Sequence, residues 1–104
     1  MSRVRAAAAA DFEAVTLLLE ELGRPAVVDR AACRAVYDQQ VADPDAEHLV
    51  AEDDSGRIAG FCSLHFRSRL NQTTLEAWVP DLIVAEPARR QGIARSVVSV
   101  VVIV

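Results

Sequence analysis

Cysteine is scarce in this chain of 104 residues: only Cys33 and Cys62 occur, without metal-ligand spacing. That excludes a thiolate metal centre and a disulfide-rich scaffold, and leaves two reduced, partly buried thiols of a cytoplasmic protein as the expectation. Long apolar runs are lacking too. Ala6 to Ala10 is short, and Asp11 and Glu13 interrupt it at once, so a secretory leader is not expected there. Ser96 to Val104 is very apolar but far too short to span a bilayer. Excess positive charge is absent: the formal net charge is -4, which excludes a general attraction to nucleic acid or anionic membrane. No internal repeat and no linker break the chain. What is present is ordinary for one soluble globular domain, with 52% hydrophobic and 25% charged residues. A domain of this size buries roughly two-thirds of the surface of its unfolded chain.

The apolar pattern changes period along the chain. Val4 to Ala8 reads as a first strand. Asp11 is a helix N-cap candidate, and Phe12, Val15, Leu18, Leu19 and Leu22 follow at helical spacing until Gly23 and Pro25. Asp29 opens a second helix through Val36, Tyr37 and Val41, which Asp43-Pro44 ends. His48 to Glu52 and Ile58 to Phe66 read as a hairpin around Asp53-Asp54-Ser55-Gly56. Thr73 to Val84 reads as a further long strand, in which Pro80 marks an edge, a bulge or a break because it cannot donate to a ladder. A helix is expected after Gly92, although the valine-rich tail is poor helix material. The order β-α-α-β-β-β-α implies an α/β (α+β) sheet domain, residues 1–104 forming a single unit.

The segment with the clearest chemistry is Leu82 to Ala94. A strand ending at Val84 feeds a turn with the sequence Arg89-Arg90-Gln91-Gly92-Ile93-Ala94. A helix starting near Gly92 leaves its first N–H groups without intrahelical partners, at the positive end of its dipole. Gly92 and Ala94 carry little or no side chain, so an anion can approach the backbone, and the arginines add forked donors. Such a turn suits a diphosphate. It is neither a Walker loop, since no Gly-Lys-Ser/Thr follows, nor a G-x-G-x-x-G turn. A basic, solvated helix start with a capping glycine fits the same residues, and the physics alone leaves both readings open.

Arg89-x-x-Gly92-x-Ala94 resembles the Arg/Gln-x-x-Gly-x-Gly/Ala pattern of the GNAT N-acetyltransferase family, with Leu82-Ile83-Val84 and Pro87 at the family's spacing. The resemblance extends from the chain start to about Arg95. It implies an acyl-CoA N-acyltransferase fold, a mixed, mostly antiparallel sheet with flanking helices, and acetyl-CoA as cosubstrate. Backbone groups of Leu82, Ile83 and Val84 would pair with the pantetheine arm, and the N–H groups of Arg90, Gln91, Gly92, Ile93, Ala94 and Arg95, with the Arg89 position, would hold the diphosphate. Acetyl would pass directly to a primary amine of a small molecule or peptide near Asp81 and Leu82.

Glu76 and Asp81 are then the candidate acid–base groups. Each also fits, and fits better, an exposed strand-end carboxylate or one paired with an arginine. His48 and His65 read as packed or surface histidines, Trp78 as core or pocket wall, and Cys62 as no nucleophile. The family continues through a further strand and usually supplies a tyrosine acid, whereas the one tyrosine here is Tyr37 in the second helix. The expectation is therefore a domain truncated at its C-terminus. Two functions follow: an N-acetyltransferase, or a non-catalytic acyl-CoA-binding or dimerisation module whose valine-rich end a second copy of the chain would cover.

Overall fold

The computed structural model describes residues 3–23, 25, 28–68, 70 and 75–85. Four segments with strand periodicity pair there into one antiparallel sheet of order β1-β2-β3-β4, formed by β1 (Arg3–Ala6), β2 (Ala46–Glu52), β3 (Ile58–Arg67) and β4 (Glu76–Val84). Two helices, α1 (Phe12–Glu21) and α2 (Arg30–Val41), connect β1 to β2. α1 lies against β3 and β4, and α2 against β2. No helix among the described residues is long and apolar enough to cross a membrane.

Alternation along the strands divides the buried side chains between the two faces of the sheet. Val50, Phe61 and Ile83 pack under the helices against Ala7, Val15 and Leu18. Leu49, Ala51, Cys62 and Leu64 occupy the opposite face with Val4, Phe66 and Val84. Leu64 and Val50 are fully buried.

The local signals of the sequence have visible counterparts. Asp29 caps α2, its Oδ1 accepting from the Ala32 N–H at 3.0 Å. Gly23 ends the first helical segment with φ 98°, a value that favours glycine. In the β2–β3 turn the Asp53 carboxylate accepts from the N–H groups of Ser55 and Arg57, and Gly56 takes φ 84°. The hairpin strands run from Ala46 and to Arg67, slightly longer than their β-branched cores suggest.

Asp11 departs from expectation in a way that matters. It stands at the start of α1 but makes no side-chain bond to that helix. A turn of 3-10 helix, Ala9–Asp11, precedes α1, and the carboxylate reaches back to the Ala8 N–H at 2.8 Å. It is turned that way by Arg5 on β1, which donates to both its oxygens at 2.7 and 2.9 Å. The same guanidinium donates through Nε to Glu52 on β2 at 2.6 Å. The planar fork of arginine thus joins two strands and the entry to α1.

Asp11 is buried and its pair with Arg5 holds its carboxyl below the usual carboxylate range. A carboxyl depressed on folding contributes stability that is complete above its unfolded pKa and is lost as pH falls through the folded value. Denaturation midpoints should therefore decline below about pH 4. Arg5→Ala should lower unfolding free energy by about 2–4 kcal/mol at neutral pH and flatten that acid limb, with Arg5→Lys recovering only part. Urea titrations at several pH values check both.

Candidate functional site

β4 does not run regularly. Ser63 on β3 stands opposite Asp81, yet His65 stands opposite Trp78, so Val79 and Pro80 together face Leu64. This is a β-bulge, and β4 also lies at the edge of the described sheet, so Pro80 takes two of the three roles open to it. In a regular strand Trp78 and Asp81, three apart, would point to opposite faces. The extra residue restores them to one face, the one beneath the helices. The described β4 starts at Glu76, later than the Thr73 expected, and residues 71–74 lie outside the described part.

Under α1 and α2 that face bounds a cavity of about 370 Å³. Phe12, Val15 and Leu19 of α1 and Val36 and Tyr37 of α2 line one side, and Phe61, Trp78 and Pro80 the other. Thr16 and Gln40 are among its polar groups. Asp81 lines it, and its Oδ2 accepts from the Ser63 hydroxyl at 3.3 Å. His48 and His65 line it as well, their rings 5.8 Å apart and edge-on, with His65 next to Trp78 at 5.7 Å. Burial, with a smaller contribution from His65, pushes the His48 imidazole below its ordinary pKa, so it is neutral at pH 7. Its Nδ1 is buried without a hydrogen-bond partner. The strand pattern marked both histidines only as packed or surface residues. The alternation His48-x-Val50, continued across β3 by Phe61-x-Ser63-x-His65, was the available signal that they share a face.

The structure separates the two acid–base candidates. Asp81 is at the cavity. Glu76 is not among the residues that line it, and its Oε2 accepts from the Arg67 Nε at 3.2 Å. The Tyr37 hydroxyl donates to the Ala8 carbonyl at 2.6 Å, and burial raises its pKa, so it is held as a structural donor. Cys33 and Cys62 are both free thiols on different elements. Burial pushes the Cys62 thiol up to about 11, which removes it as a nucleophile.

Beyond Asp81 the expected coenzyme contacts begin. Ile83 is buried under the helices and Leu82 faces the other way. The Ala85 N–H donates to the Ala59 carbonyl at 2.8 Å, in register with Phe61↔Ile83 and Ser63↔Asp81. Antiparallel ladders alternate bonded and non-bonded pairs, so the peptide groups of Leu82 and Val84 point away from β3 and those of Ile83 towards it. Pantetheine pairing through all three residues would thus have different geometry at Ile83. Arg89, Arg90, Gln91, Gly92, Ile93, Ala94 and Arg95 lie outside the described residues.

Comparison with known proteins points one way. The model of the acetyltransferase (GNAT) family matches residues 12–102. The structure is similar to glucosamine-6-phosphate N-acetyltransferase from Arabidopsis thaliana, with TM-score 0.85 and 17% identity over 98% of this chain and 72% of that one. It is similar to an aminoglycoside 6'-N-acetyltransferase from Acinetobacter baumannii, with TM-score 0.83 and 19% identity over 99% and 70% of the two chains. A ribosomal-protein-alanine N-acetyltransferase from Brucella melitensis aligns with TM-score 0.75 and 19% identity over 98% and 69%. At these identities the likeness is one of fold. No curated protein matches the sequence.

The thiols report on the cavity. Cys33 lines it and is half-buried, whereas Cys62 is buried on the other sheet face. A thiol reagent should label Cys33 in the folded protein and reach Cys62 only after denaturation. Mass spectrometry of labelled peptides checks this, and rapid labelling of Cys62 in folded protein would contradict the sheet placement.

Proposed function

This chain belongs to the acetyltransferase (GNAT) family, and on that premise we propose that it carries acetyl from acetyl-CoA directly to a primary amine held in the cavity between the helices and the sheet. The observation that carries this reading is the junction on β4. Asp81 lines the cavity, and the next residue, Leu82, turns its peptide groups away from β3, to the side where the family resemblance expects the pantetheine arm. Acceptor and coenzyme would meet there, within one residue of each other.

Bound acetyl-CoA would supply an activated thioester. Leu82 and Val84 would hold its arm through backbone groups, and the N–H groups of Arg90 to Arg95 its diphosphate. For the chain's own groups, Asp81 accepts the proton that an ammonium must lose before its nitrogen can attack, directly or through a water. Ser63 orients that carboxylate. The new N–C bond forms as the C–S bond breaks, and the second proton that the acylated nitrogen must lose passes through solvent to the departing thiolate. Glu76, engaged by Arg67, is the weaker candidate for the base. A cytoplasmic setting is part of the proposal, and two free thiols are compatible with it. The neighbours' acceptors, a phosphosugar and an aminoglycoside by their names, are too distant in identity to be carried over.

Calorimetry with coenzyme A and thiol-release assays with a panel of amines test the reading. Binding and turnover are both expected. Binding without turnover would favour an acyl-CoA-binding module instead, and the absence of both in folded protein would sink the coenzyme site. Asp81→Asn should reduce kcat/KM by about 100-fold or more while coenzyme affinity stays within a few-fold. Gly92→Glu should abolish coenzyme binding, since it fills the turn and adds repulsive charge; unchanged affinity would refute the diphosphate placement.

A further inference from the structure

Resting on the reading of the cavity as the acceptor site, we propose that the acceptor is a small apolar amine carrying one positive charge, of the arylalkyl or alkyl type, rather than a phosphate-bearing or polycationic amine. The first ground is the wall. Phe12, Val15, Leu19, Val36, Phe61 and Trp78 leave a largely apolar chamber, with the Trp78 and His65 rings tilted against each other at 5.7 Å. Such a wall binds an aliphatic or aromatic body by displacing water.

The second ground is the count of charges. Among the described lining residues there is one carboxylate, Asp81, and no arginine or lysine. One carboxylate matches one ammonium. A polycation would place further charges against apolar walls, where they have no counter-ion. A phosphate would lack the forked or ammonium donors that hold it elsewhere. The nearby guanidiniums do not change this. Arg30 and Arg34 lie over Phe12 and Arg67 over Trp78, all outside the lining, and each is paired with a carboxylate, Glu13, Asp38 and Glu76 respectively. The neutral imidazole of His48 adds no positive charge at pH 7.

The third ground is size. About 370 Å³ lies near the lower end of the 300–1,000 Å³ range usual for ligand pockets, room for a ring on a short chain.

Trp78 is the only tryptophan of the chain and lines the cavity, so binding can be read without turnover. Phenethylamine, O-phosphoethanolamine and spermine are titrated against the full chain, with and without coenzyme A, while Trp78 emission is followed. The same amines are run in the thiol-release assay. Phenethylamine should shift the emission saturably, the other two should leave it unchanged at equal concentration, and kcat/KM for phenethylamine should be at least tenfold higher. If phenethylamine shifts the emission but releases no thiol, the acceptor class stands and the transferase reading fails. If O-phosphoethanolamine or spermine is the best acceptor, the class is overturned and the transferase reading stands. No emission response to phenethylamine overturns the class whatever the assay gives. Val36 is exposed on α2, so Val36→Arg should fold normally and weaken phenethylamine about tenfold by charge repulsion; unchanged affinity would also overturn the proposal.

Discussion

One extra residue in β4 decides what the cavity contains. Val79 and Pro80 share the single partner Leu64, and that shift of phase turns Trp78 and Asp81 to the same face. Proline suits the position because it has no N–H to offer the ladder. With a regular strand either Trp78 or Asp81 would stand on the opposite face, among Leu64 and Phe66. The bulge therefore unites an apolar wall with one acidic group, the combination on which the proposed acceptor class rests.

The roof of the cavity depends on a different contact. α1 and α2 together contribute half of its lining, and their position over the sheet is set at the entry to α1. There Arg5 grips Asp11 with two bonds and Glu52 with a third. Tyr37 adds a tie from α2 to the same corner by donating to the Ala8 carbonyl, with its ring edge-on to Phe12 at 5.3 Å. Charge-assisted bonds of this kind are directional, so they orient the helices, whereas the apolar contacts of Val15 and Leu18 mainly hold them down.

Much of the fold was legible in the residues. The helical stripe from Phe12 to Leu22, the Asp29 cap, the Asp53–Gly56 turn and the strand periodicity of β2 and β3 each follow from local stereochemistry. Pro80 announced an irregularity but not its kind, because a bulge is defined by the partner strand. Asp11 looked like an ordinary cap because its competitor, Arg5, acts across strand pairing that no local pattern records. His48 and His65 looked unremarkable for a similar reason: they lie on different strands, 17 residues apart, and become neighbours only by register.

The amino-acid sequence by itself determined the family and the class of fold. The likeness of Arg89-x-x-Gly92-x-Ala94, with Leu82-Ile83-Val84 before it, to the family's pattern carried that expectation, and the family's match over residues 12–102 bears it out. The tertiary structure alone decided which carboxylate belongs to the cavity. Glu76 and Asp81 are equivalent as letters, both on one strand. The Arg67 pair removes the first and the bulge turns in the second. Proximity of side chains from different strands is a property of pairing and phase, and those are settled only when the whole sheet has formed.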